Sequence, residues 1–411
     1  MSEVRDQNCA GRQLPQGWKW ARLGDVCKTR TGLRDPRNTP DQAFVYVDIS
    51  SVDTVAKGIV SPKSLQGKDA PSRARKEIHA GDVIVSTTRP NLNAVALVPQ
   101  ELDGQVCSTG FCVLRPTEAL TSELLFTYVQ SAQFVEALSS LVTGALYPAV
   151  TDRQVLSQPI PLPPLSEQKR IASILDEQLA AVEKARRACE EQLEAAKALP
   201  AAYLRSVFDS SDARAWPRDT VGNLASLIMD GPHVTPTYVS CGVPFLTVRN
   251  IVGRQIDLSD VSYVSPEDHA EFSRRGKAER GDILYTKDGT LGVPCVVDTE
   301  MQFSYFVSVA LIKPLRGRID SRFLTFALES PEVLEQVKLL GAGAGLKHMV
   351  LKSINALSVP VPPMGAQRRI ADMLGDCIRE SNRLTTLIDA QRDMVDTLPQ
   401  AVLRKAFNGE L

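Results

Sequence analysis

PLPPLSEQKRIASILDEQ occupies residues 161–178, and PVPPMGAQRRIADMLGDC occupies residues 360–377. The two align without a gap, 199 positions apart, with eight identities in eighteen. Each reads as a stop followed by a start. Paired prolines favour extended backbone before them and do not fit a helix interior. Beyond them, apolar residues recur at three- and four-residue spacing. Ile171, Leu175, Val182, Ala185, Cys189, Ala196 and Leu199 form one stripe; Ile370, Leu374, Cys377, Leu384, Ile388, Val395 and Leu398 form the other. Both stripes are narrow and flanked by charge, the pattern of a helix-on-helix seam. Long helices are therefore predicted over about 165–208 and 364–407, with Ser166 as N-cap of the first and Gly365 as a weaker cap of the second. Pro200 and Pro399 fall at one matched position, so each helix must bend or restart there, and a matched bend is predicted.

The echo extends outward along the chain. WKWARLGDV (18–26) is answered by WPRDTVGNL (216–224), HAGDVIVSTTRP (79–90) by ERGDILYTKDGT (279–290), STGFCVLRP (108–116) by FVSVALIKP (306–314), and LPAAYLRSVF (199–208) by LPQAVLRKAF (398–407). One unit is thus present twice in tandem. Its first part is a set of short β-like runs punctuated by Gly, Pro and Asn, such as FVYVDI, GDVIVS and GFCVLRP, or VPFLTV, GDILYT and VPCVVD. A short helix over about 121–141 or 320–340 closes it. The fold class is α+β, in four segments: a globular domain at 1–164, a long helix at 165–210, a second globular domain at 211–363 and a second helix at 364–411. At about 1.5 Å per residue, some 33 residues before each proline span about 50 Å. Two such helices can pair antiparallel, with an approximate two-fold axis and a globular domain at each end.

A chain of 411 residues with 43% hydrophobic and 23% charged residues has the composition of a soluble globular protein. No apolar run approaches the roughly 18–20 residues of a membrane span, and the polar N-terminus lacks a secretory core. The eight cysteines include no CxxC, so reduced, mostly buried thiols in the cytoplasm are expected. The net charge is −1, and none of the four segments departs from neutrality by more than one charge. Bulk charge therefore gives no sign of nucleic acid.

Catalytic patterns are missing as well. The four histidines lie outside metal-ligand spacing of one another or of a cysteine pair. GAGAGLK (341–347) matches neither phosphate-loop signature and reads as a flexible loop. There is no G-x-S-x-G. Glu167-Gln168-Lys169 sits in a helix first turn, where solvation explains it. No catalytic and no metal site is assigned.

PLPPLSEQKRI and PVPPMGAQRRI, the two Gly-Asp strand elements GDVIVSTTRPNL and GDILYTKDGTLG, the strand CSTGFCVLRP and the terminal AFNGEL together resemble the specificity subunit of type I restriction-modification enzymes. The resemblance covers essentially the whole chain. It implies a non-catalytic subunit in which each globular domain is a target-recognition domain reading one half of a split site in double-stranded DNA. It further implies helices that set the gap and dock two methyltransferase subunits carrying S-adenosylmethionine, with nuclease-translocase subunits using ATP and magnesium and no membrane partner. Docking and spacing would fall to Gln168, Arg170, Ile171, Leu175 and Val182, and to Gln367, Arg369, Ile370, Leu374 and Ile388. Gly365-Ala366 in place of Ser166-Glu167 would make the two docking sites unequal. Half-sites on one face of B-DNA lie roughly 34 Å apart or more, which suits a 50 Å spacer.

Candidate DNA contacts are the basic residues of non-repeating loops, since arginine bridges guanine edges and most cations position the domain on phosphate. In the first domain these are Arg30, Arg34, Arg37, Arg73, Arg75, Lys76 and Arg89. In the second they are Arg249, Arg254, Arg274, Arg275, Lys277, Lys287, Lys347 and His348. The clusters SRARKE and SRRGK stand out because both precede the Gly-Asp strand. Two rivals compete with this reading. A scaffold with two protein-binding domains would suit the neutral charge, and an enzyme with an unrecognised site would need chemistry that the few histidines do not offer.

Overall fold

The computed structural model describes residues 14–28, 30–142, 148–340 and 348–411. It divides into two compact units, Met1–Glu190 with Ala390–Leu411 and Glu191–Asp389, so the division falls inside both long helices. GAGAGLK lies outside the described residues.

In the first unit, Ala43–Val47 lies at the centre of a four-stranded sheet, between Lys63–Gln66 and Gln105–Ser108, with Ala74–Ile78 beyond. A three-stranded antiparallel sheet runs Phe111–Leu114, Val83–Ser86, Val95–Leu97. The second unit repeats the plan: Ala225–Asp230, Val309–Pro314, Ile283–Thr286 and Pro294–Val296 form one sheet, and Ser262–Val264, Val243–Leu246 and Ser304–Tyr305 another. Even the parallel pairing recurs, Tyr46 opposite Val106 and Phe245 opposite Ser304. The predicted runs form these strands because their β-branched and aromatic residues fit a half-buried pleat.

The Gly-Asp element has the same physical basis in both units. Gly81 and Gly281 turn with φ of +83° and +93°, a conformation that glycine adopts without penalty. The next aspartate accepts a backbone N–H at the turn, from His79 or Glu279, both at 2.8 Å. It also pairs with the cation ending the adjacent strand. Arg115 donates twice to buried Asp82, at 2.8 and 2.7 Å, and Lys313 donates to Asp282 at 2.7 Å.

Each domain is closed where it meets its helix. Lys19–Arg22 pairs antiparallel with Pro159–Leu162, and Arg218–Thr220 with Ser358–Pro360. The long helices follow, Leu165–Phe208 and Met364–Asn408. Within the first unit, Ile171 and Leu175 share a core with Leu403, Ala406 and Phe407, and Arg170 Nη2 donates to Leu411 O at 2.6 Å. Within the second, Leu204 and Phe208 share a core with Ala371 and Leu374, and Ser381 Oγ donates to Ala196 O at 2.9 Å. In each unit the start of one long helix therefore lies antiparallel to the end of the other.

Two expectations are corrected and a third is narrowed. Ser166 and Gly365 are not N-caps, because helical geometry already includes Leu165 and Met364, and the carbonyls of Pro164 and Pro363 accept the amides of Gln168 and Gln367. Of the two ways to accommodate Pro200 and Pro399, a restart does not occur, since both prolines sit inside unbroken helix. The closing helix is two helices, Ser122–Val129 then Ala132–Ser140, and Ser321–Leu328 then Pro331–Leu340. Ser131 caps the second of the first pair through its hydroxyl, and Pro331 takes the first helical position of its counterpart, where its missing N–H costs nothing.

Gly375 lies inside the second long helix, and a Cβ there would meet only the movable end of Arg379. Gly375→Ala should stabilise the protein by about 0.5–1 kcal/mol, measured as a higher urea midpoint with an unchanged slope.

Candidate nucleic-acid interface

The helix starts are organised by a buried glutamine. Gln168 is sealed from solvent; its Oε1 accepts from Thr121 N at 2.9 Å, and its Nε2 donates to Ala119 O and Pro163 O, each at 2.9 Å. Gln367, equally buried, accepts from Asp320 N at 2.8 Å and donates to Pro362 O at 2.8 Å and Arg318 O at 3.3 Å. A carboxamide out of water needs partners for both its ends, and the fold provides them. Neither glutamine is free to dock a partner, which corrects their assignment. Ile171, Leu175 and Leu374 are likewise core residues, and Ile370 packs partly buried against the core of its unit. Ile388 is 6% exposed and Val182 partly exposed. Arg170 and Arg369 are exposed; Arg170 pairs with Glu167.

The candidate DNA contacts divide by what holds them. Arg30, Arg73 and Arg89 of the first domain and Arg249, Arg275 and Lys277 of the second are exposed, with no side-chain hydrogen bond or ion pair among the described residues. Arg89 stands on a left-handed backbone of φ +49°, an uncommon conformation away from glycine, and its N–H donates to Pro148 O at 2.8 Å. Arg37 and Arg274 are exposed but paired with Asp35 and Glu271.

Others are already engaged. Arg34 donates to Gly104 O at 2.8 Å. Arg75 bonds Ala74 O and pairs with Asp35, and Lys76 bonds Phe111 O and pairs with Asp152. Arg254 pairs with Glu329 and lies 5.5 Å over the Phe326 ring. Burial pushes the Glu329 carboxyl above its usual range, opposed by Arg254. Lys287 is 2% exposed, 3.7 Å from both Asp230 and Asp288, so it is no open surface cation. His348 is half exposed and bonded through Nδ1 to Asp288. Lys347 lies outside the described residues.

SRARKE and SRRGK are matched in sequence but not in backbone. The first lies largely in the strand Ala74–Ile78; the second is a helical turn, Ser273–Arg275, following the helix Pro266–Phe272. Sequence reasoning also missed Asp230 and Asp288, whose carboxylates flank Lys287, because acids were not sought beside candidate cations.

Burial pushes the Cys27 and Cys107 thiols up to about 12, where they stay protonated. Among the described residues no group of three His, Cys, Asp or Glu could hold a metal, and no helix is long and apolar enough to cross a membrane.

Residues 15–194 and 260–391 match the family model described as the type I restriction modification DNA specificity domain. The EcoKI specificity subunit of Escherichia coli is 23% identical over 423 residues, spanning 97% of this chain and 90% of that protein. The putative MjaX specificity subunit of Methanocaldococcus jannaschii is 21% identical, spanning 97% and 95%. The HsdS subunit from Thermoanaerobacter tengcongensis superposes with a TM-score of 0.72 at 33% identity, covering 98% of this chain and 99% of that one. A chain from a study of complex assembly and conformational transition of the type I R-M system superposes with a TM-score of 0.81, also at 33% identity, covering 97% and 100%.

Gln168→Ala and Gln367→Ala should each destabilise the protein by about 1–3 kcal/mol, because buried backbone groups lose their partner. Urea unfolding of the two variants measures this, and the matched networks predict losses of similar size.

Proposed function

Because the chain belongs to the type I restriction-modification DNA specificity family, we propose that each of its two globular domains reads one half of a split DNA site while methyltransferase subunits, docked along the long helices, modify it. The observation that carries this reading is the duplication itself: one frame is built twice, with different loops on it. A frame repeated at matched residues fixes where bases are met, and divergent loops let the two halves differ. The long helices set the gap between half-sites.

The chain's own part is recognition; methyl transfer from S-adenosylmethionine, and DNA translocation and cleavage driven by ATP and magnesium, are assigned to partner subunits. The cytoplasm, where DNA and these nucleotides are found, is the compartment this work requires. Affinity must be modest for the chain alone. The net charge is −1, and several of the candidate cations are held by internal partners, so few phosphates can be neutralised without partner subunits.

Co-expression with a methyltransferase subunit, followed by mapping of methylated bases across a genome, should return a bipartite motif. Exchange of residues 14–164 for another such domain should change one half of that motif and leave the other. A continuous motif, or a change in both halves, would refute the reading. In binding assays, Arg30→Ala should weaken binding to all sequences alike and lower the salt dependence by about one ion.

A further inference from the structure

The repeat supplies an internal comparison at single residues. In the first domain Thr87 N donates to Gly110 O at 2.8 Å, Val150 N donates to Thr87 O at 2.8 Å, and Thr88 bridges Ala149. In the second, Lys287 N donates to Ser308 O at 3.0 Å, Met349 N donates to Lys287 O at 2.8 Å, and Asp288 bridges His348. The clasp is the same and its side chains are not. Thr87 and Thr88 are neutral hydroxyls, and Thr87 satisfies itself on Gly110 O at 2.9 Å. Their counterparts are Lys287 and Asp288, joined by Asp230 at the end of its strand, by His348 and by His233, whose Nε2 lies 3.4 Å from Asp230.

The fold does not require this charge, since the first domain builds the same clasp without it. Burying an ammonium is costly, and its partners at 3.7 Å are too far for hydrogen bonds. None of the three Lys287 N–H groups reaches an acceptor among the described residues. A nearly sealed cation between two carboxylates keeps acids at a surface that would otherwise repel DNA.

We propose that the Asp288–His348 pair is a specificity-determining unit of the second domain, held by Lys287 as a positioning residue, and that it accepts a hydrogen bond from an exocyclic base amine. The chemistry selects this class. Nδ1 of His348 faces the Asp288 carboxylate, and in the tautomer whose Nδ1–H is donated to that carboxylate Nε2 of the half-exposed ring offers a lone pair. A carboxylate also only accepts. In the major groove the complementary donors are N6 of adenine and N4 of cytosine, whereas the guanine edge needs donors. The first domain, with hydroxyls at the same place, reads its half-site by other chemistry.

The inference rests on the DNA-reading function, and the test separates the two. His348→Ala, Asp288→Asn and Lys287→Met chains are assembled with the methyltransferase subunit, and their modified sites are mapped on a randomised plasmid library. All three should lose about tenfold discrimination at one and the same base pair of one half-site, with the other half intact. Replacing the base that carries the amine, by purine for adenine or by 2-pyrimidinone for cytosine, should weaken wild-type binding about tenfold and leave the His348→Ala complex unchanged. Which analogue acts distinguishes the two bases. His348 is surface-exposed, so its variant should melt like wild type even if Lys287→Met does not fold. An unchanged motif in His348→Ala and Asp288→Asn, degeneracy in both halves, or uniform loss of modification with the motif kept would each overturn the inference alone. A wild-type complex without a bipartite motif would overturn it together with the function on which it rests.

Discussion

A carboxamide sealed from water must have its donors and its acceptor met, and this requirement ties each long helix to its globular domain. Gln168 and Gln367 reach the same kinds of backbone group: the N–H where the closing helices begin, a carbonyl just before it, and the carbonyl of a proline leading into the long helix. The bonded residues are nearly fifty positions apart in sequence, so one side chain joins two elements that local propensity cannot relate. Around it, the paired strands at the domain mouth and the core side chains Ile171, Leu175 and Leu374 hold the first turns. Any tilt of a helix against its domain would strand buried hydrogen-bonding groups, which makes the departure direction a fixed property of the fold.

The Gly-Asp turn does comparable work inside the sheet. Glycine at positive φ reverses the chain, and the aspartate locks the turn to the cation of the neighbouring strand. These devices occur at matched positions in both units, while the loops between them diverge. That separation of frame from content suits a recognition protein. New loops can be carried by an unchanged scaffold, because the groups that hold the scaffold together lie elsewhere.

Charge is used locally. Arg34, Arg75, Lys76 and Arg254 are spent on carbonyls or carboxylates of their own domain and Lys287 is enclosed between two carboxylates, whereas Arg30, Arg73, Arg89, Arg249, Arg275 and Lys277 stand in solvent. A near-zero net charge and a DNA-reading role are compatible once these two groups are distinguished. The acids that cancel the sum are in several cases bound to cations that the fold itself uses.

The sequence by itself determined the duplication, the strand-rich domains, the two long helices and the absence of recognisable catalytic patterns, because periodicity and proline stops are local and appear twice. It also marked Gln168, Gln367 and the Gly-Asp turns as recurring, without disclosing what they do. Tertiary structure decided the rest. The closing helix splits because Ser131 and Pro331 start a new helix more readily than they continue one, and Ser166 is no cap because the proline carbonyl already precedes a formed turn. Which cations are free, and that Lys287 is enclosed between Asp230 and Asp288, depend on contacts up to 76 residues apart. Local pattern encodes which way a side chain faces along its own element; only packing brings the partner that gives it a role.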